Sequence, residues 1–273
     1  MSFNKQIHII NVIAIKNLKI KLRNYQTYLY SFGFPLLFTG LFYFIFKPMT
    51  IASGGITVFD LAVSGMLIYT ASFGTINAAT SLTAEKEHLT LTRLDTTPVG
   101  RAKIFIGTLL SESFFLVIQL ILMFCISYGF LGAHWYEKNP YLLILGFFIV
   151  YVFGISTLGI GIIISANAKT ANAAVSLSMM YVMPMLFLSG AMIPFEHPIV
   201  YLCPPFWANQ LYQQVVILGD DIWSDTLRLN AQNIINAEYS TLPLWGSFII
   251  ILVILFITTF IGIRLFQRKT LYQ

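Results

Sequence analysis

The sequence predicts an all-α polytopic membrane protein. It has six transmembrane helices, an amino-terminal interfacial amphipathic helix, a short cytoplasmic helix between spans 2 and 3, and short broken helices on the outer side between spans 5 and 6. Three observations predict this. The 273 residues are 57% hydrophobic and only 10% charged, against about 25% charged in soluble domains, so the exterior itself must be apolar. Six runs with one charge or none reach the roughly 20 residues needed to cross a bilayer. Lys and Arg are very unequally shared among the segments between these runs, and that asymmetry orients them.

The runs lie between Arg23 and Lys47, between Asp60 and Glu85, and from Lys103 to Glu137 with Glu112 as the one internal charge. The fourth to sixth lie between Lys138 and Lys169, between Lys169 and Glu196, and between Glu238 and Arg264. Lipid offers no hydrogen bonds, so each segment must satisfy its own amides as a helix unless a barrel closes. The runs lack the alternation of barrel strands. Of the 16 Lys and Arg, only Lys47, Lys138 and Arg228 fall on one side. The other side is therefore cytoplasmic and holds both termini. Cations placed at membrane edges account for the net charge of +5, and no compact basic domain suggests nucleic acid. Cys125 and Cys203 lack the paired spacing of a metal or redox motif.

Before span 1, residues 5–24 form an amphipathic helix. Lys5, His8, Lys16, Lys19 and Arg23 share one arc, and Ile7, Ile10, Ile13, Ala14, Leu18 and Leu22 occupy the rest. Lys21, Ile9 and Val12 are exceptions. Such a helix lies in the interface with its basic stripe toward anionic headgroups. It serves either as a positive-inside anchor or as a docking elbow. The late cations exclude a secretory signal. Between spans 2 and 3, Leu82, Leu89 and Leu94 among dense charges suit a short surface helix, broken at Thr97-Pro98. From about Ile193 to Thr241, Pro194, Pro198, Pro204 and Pro205 alternate with Tyr201, Phe206, Trp207 and Tyr212. Prolines break helices and Trp and Tyr favour the interface, so broken helices at the outer surface are expected.

The loop Glu85-Lys86-Glu87, then Thr90-Leu91, Thr97-Pro98-Val99 and Gly107, resembles that of ABC-2 type exporter permeases. Leu158-Gly159-Ile160-Gly161 through Lys169-Thr170 resembles that family's end of span 4. Leu188-Ser189-Gly190 through Pro194 resembles its L-S-G-x-x-x-P signature after span 5. Thr92 or Arg93 stands where members often carry an acid, and Asp95 where they carry leucine. The resemblance implies one transmembrane domain over 1–273: an interfacial helix at 1–25, a bundle at 26–266 and a tail at 267–273. It also implies a bacterial cytoplasmic membrane, a dimer with a second copy or a paralogue, and a separate cytoplasmic ATPase that holds ATP and Mg. The loop helix would be a coupling helix, with Glu85, Lys86, Glu87 and Arg93 making polar contacts to the ATPase and Leu89, Leu91 and Leu94 filling its groove. The interfacial helix with Lys5, Lys16, Lys19 and Arg23 would dock beside it. No G-x-x-x-x-G-K-[ST] phosphate loop occurs, so this chain is expected to bind no cofactor itself and not to be an enzyme.

An ionisable group within a span is a functional candidate. Glu112 lies about 13 Å along a helix from Lys103, with Gln119 on nearly the same face. Two roles stand open: a pathway or relay group, or a hydrogen-bond partner for Asn77, Thr80 and Ser81 of span 2. Asp60 is expected at the wetted outer edge of span 2, and Asn167 and Asn172 are expected to cap the turn after span 4. Small residues such as Gly154, Gly159 and Gly161 permit close helix approach.

Among functions, the expected cargo is amphipathic: a drug, an antimicrobial peptide or a lipid-like compound. Export of a polysaccharide or lipid-linked glycan, a membrane scaffold and a membrane-embedded enzyme are the alternatives. The acids Asp220, Asp221 and Asp225 and the histidines His8, His88, His134 and His197 form no metal or protease motif.

Overall fold

The computed structural model describes residues 3–23, 29–49, 56–87, 101–191, 198–220, 227–228, 239–240 and 244–269. Apart from a two-residue antiparallel ladder, Leu227 opposite Ser240 and Arg228 opposite Tyr239, they are helical or irregular. The helices are α1 (Phe3–Arg23), α2 (Phe34–Phe46), α3 (Val58–Glu87), α4 (Arg101–Phe124), α5 (Pro140–Asn167), α6 (Ala171–Leu188), α7 (Pro204–Tyr212) and α8 (Leu244–Lys269).

Five of these are long and apolar enough to cross a membrane: α3, α4, α5, α6 and α8. The first predicted span is shorter. Its apolar stretch, Ser31–Phe46, is about 24 Å long at 1.5 Å per residue, below the roughly 30 Å hydrocarbon core. Pro35 in its first turn lacks the amide that would bond back, and the turn before it, Leu29–Gly33, is a wide π turn. Among the described residues, five helices are long enough to cross a membrane, and the first predicted span is a shorter apolar helix.

α3 is the axis of the bundle. It has the lowest hydropathy of the five, yet its apolar window is wholly buried, whereas that of α8 is mostly exposed. In lipid the hydrophobic faces turn outward, and small polar residues let helices close on one another. The hydroxyls of Thr70, Ser72 and Thr83 bond back to carbonyls of their own helix at 2.7–2.9 Å. Between α3 and α5 the hydroxyl of Thr75 donates to the Thr157 carbonyl, and that of Thr157 to the Ala71 carbonyl, each at 3.1 Å. A Cβ on Gly161 would stand 2.5 Å from the Thr75 oxygen, so only glycine permits this approach. Gly159 plays the same part against Thr258 of α8.

Of the segment expected at the outer surface, residues 205–217 are buried in the protein, while Leu202 is exposed. After a 3-10 turn at Pro198–Leu202, α7 and a π turn at Gln213–Ile217 insert against α3, α5 and α8. Trp207 is 6% exposed, and its indole N–H donates to the Tyr201 carbonyl at 2.9 Å. Gln213 donates to the Ser64 hydroxyl at 2.8 Å. The Tyr128 and Tyr212 hydroxyls bond to each other. Pro198 and Pro204 each begin a short helical piece, and the internal partners of Trp207, Tyr212 and Gln213 let the second piece sit inside the protein.

Two expected positions need correction. Asp60 is 4% exposed, not wetted. Its carboxylate accepts from the Thr57 amide and hydroxyl and from the His134 amide. The turn between α5 and α6 is capped by Thr170, whose hydroxyl accepts from the Ala173 amide at 3.2 Å. Asn167 bonds back to the Ile163 carbonyl, and the Asn172 carbonyl accepts from Ser176.

Candidate functional site

α1 lies along α4, and its contacts repeat in register. Asn17 donates to the Thr108 hydroxyl at 3.0 Å, and one turn later the Lys21 ammonium pairs with the Glu112 carboxylate. Both contacts advance by four residues on each helix in the same sense, so the two helices run parallel. The close approach depends on Gly107, where a Cβ would stand 2.9 Å from the Ile13 side chain. Lys21, an exception on the helical wheel, is thus the cation that turns inward. It is 9% exposed and Glu112 2%, and the ammonium also lies 5.2 Å from the Phe115 ring centroid. Losing one member of such a pair strands a buried charge, which typically costs about 3–5 kcal/mol.

Asn17 also donates to Glu85 at 3.1 Å, near the end of α3. The next two residues reach the other way. The Lys86 ammonium donates to the Ser165 carbonyl and, at 3.2 Å, to that of Ala168, both at the end of α5. Glu87 accepts from the Ala171 amide at 2.8 Å, the first residue of α6. A cation on the last carbonyls of one helix and an anion on the first amide of the next complement both helix dipoles. Three consecutive residues therefore join α1, α3, α4 and the α5–α6 turn in one junction.

Of the predicted coupling residues, Glu85, Lys86 and Glu87 are in this junction, while Leu89, Leu91, Arg93 and Leu94 lie outside the described residues. Lys16, Lys19 and Arg23 are exposed on α1; for Lys5 only the backbone is described. The Glu112 carboxylate pairs with Lys21 of α1; partnering Asn77, Thr80 and Ser81 of span 2 was one of the two roles left open for it. Asn77 and Gln119 instead converge on Ser31: the Gln119 amide donates to its carbonyl at 2.5 Å, and its hydroxyl donates to Asn77 at 3.3 Å. Lys21, Asn17, Thr108 and Ser31 were not among the predicted site residues. One available signal was a Lys and an Asn one turn apart on an otherwise apolar face. Among the described residues no group of three metal-ligating side chains occurs.

A match to the ABC-2 type transporter family covers residues 9–217, from α1 through the π turn after α7. This protein belongs to that family. As an ABC-2 type transporter chain it is a multi-pass membrane protein of transport, and the matched region contains the whole junction. Over 133 residues it is 28% identical to proteins described as a probable multidrug ABC transporter permease, YbhR, of Escherichia coli K12 and of Escherichia coli O157:H7. Each match covers 48% of this chain and 34% of the relative, so the chain is matched over about a third of their length.

Proposed function

We propose that the chain is the permease subunit of an ATP-driven exporter that moves an amphipathic compound outward across a bacterial cytoplasmic membrane. The short helix Phe34–Phe46 supplies a sixth span, and both termini face the cytoplasm. ATP and Mg sit on separate ATPase subunits, and a second copy or a paralogue completes the pathway. The junction at Glu85–Glu87 carries this reading. Residues 88–100 connect the end of α3 at Glu87 to the start of α4 at Arg101, so a push on them acts on both helices. Asn17 passes displacement to α1, and Lys86 and Glu87 pass it to the α5–α6 turn. Packed helices transmit such shifts as rigid bodies. The apolar exterior and the multidrug description of the YbhR relatives favour an amphipathic cargo.

The test is ATP hydrolysis in proteoliposomes containing this chain alone, a candidate ATPase from the same source alone, or both. Hydrolysis stimulated at least severalfold by the pair, and abolished by Leu89→Asp with Leu94→Asp in a chain that still purifies intact, is the expected result. An ATPase that neither copurifies with the chain nor responds to it would sink the reading.

A further inference from the structure

Asp60 and Glu85 are 25 positions apart on α3, about 37 Å at 1.5 Å per residue, so the Asp60 end is remote from the junction. There a cavity of 210 Å³ opens between the end of α2, the start of α3 and the connection from α4 to α5. Its lining includes Lys47, Thr57, Asp60, His134, Trp135 and Lys138.

The balance of donors and acceptors states what this cavity accepts. Among the described residues Asp60 is its one lining carboxylate, and both oxygens are occupied: one by the Thr57 amide and hydroxyl at 2.7 Å, the other by the His134 amide at 2.6 Å. Donors are in excess. Lys47 gives one hydrogen to the Leu131 carbonyl at 2.6 Å and stands 4.5 Å from the Tyr43 ring centroid, which leaves ammonium hydrogens to spare. Lys138 adds a second ammonium. It sits with Glu137 in the left-handed region, at φ 52° and 48°, a conformation that side-chain-bearing residues rarely keep outside constrained or functional sites. That turn is held on its far side by Asn139, whose side chain accepts from the Tyr141 amide at 3.0 Å and starts α5.

We propose that this cavity binds a phosphate group, with the Lys47 and Lys138 ammoniums as its donors, and that the phosphate is the headgroup of an anionic phospholipid. Inorganic phosphate shares the chemistry and is the other source. Trp135 in its lining and Tyr43 beside Lys47 are residue types that settle at headgroup level. Placing the site in the outer leaflet rests on the orientation proposed above; the binding itself does not, and its test uses no ATPase.

The test is the melting temperature of the full chain in detergent, titrated with dihexanoyl phosphatidylglycerol, dihexanoylglycerol or inorganic phosphate. A ligand bound only by the folded chain raises the melting temperature by mass action. Phosphatidylglycerol is expected to raise it by roughly 3–5 °C at saturation, and the phosphate-free diglyceride to leave it unchanged. Lys138→Gln, at an exposed side chain, and Lys47→Gln each at least halve the rise. An equal rise with inorganic phosphate upholds the anion site and assigns it to the free ion. No rise with either phosphate compound, or a full rise in both variants, overturns the proposal.

Discussion

The Lys21 ammonium and the Glu112 carboxylate meet across 91 positions of chain, in a site where Glu112 is 2% exposed. One Glu112 oxygen has no hydrogen-bond partner among the described residues, and the Lys21 contact compensates its charge. Lys21→Met alone is expected to destabilise the chain by about 3–5 kcal/mol, and Glu112→Met alone by a similar amount. The double variant should recover most of that loss, because no unpaired charge remains. A double-mutant cycle from thermal melts in detergent measures the coupling, and strictly additive losses would refute it.

The α3–α5 contact makes an opposite pair of predictions for two glycines. Gly161→Val places carbon where the Thr75 carbonyl sits, and the chain should fail to give a monodisperse peak in size-exclusion chromatography. Gly40, within α2, has nothing within 4 Å of its Cβ position. Gly40→Ala should therefore be tolerated and raise the melting temperature slightly, since alanine is the better helix former by about 1 kcal/mol. If both variants behave alike, the packing described is wrong.

The hydroxyls of Tyr128 and Tyr212 are each other's partners in a buried site. Either Tyr→Phe change alone strands the remaining hydroxyl and should cost about 1–3 kcal/mol, whereas the double Phe variant should lie nearer to wild type. Melting curves of the three variants decide this. A double variant worse than the sum of the singles would show that the hydroxyls serve something other than each other.

Glu87 holds the first amide of α6 from another helix. Its replacement by Ala is expected to speed amide exchange in residues 171–174 at least severalfold while leaving the centre of α5 unchanged. Hydrogen exchange by mass spectrometry would detect the difference, and unchanged protection in that turn would remove Glu87 from the junction.

The sequence by itself determined the class of the molecule. Long uncharged runs can only be helices in lipid, and their order with the loop motifs marked the family before any fold was visible. It also marked Glu112 as a buried charge and Gly159 and Gly161 as points of close approach. Tertiary structure alone decided the partners. Lys21 meets Glu112, Asn17 joins Glu85 to Thr108, and α7 lies buried against α3, α5 and α8. Hydropathy reports the preference of a segment for lipid, but it does not distinguish lipid from protein interior. α3 thus looks like the weakest span and is the most enclosed, and prolines with aromatic residues suggest an interface where the chain turns inward. A polar side chain on an apolar helix must find a partner, and which partner it finds is set by helices meeting 91 residues away.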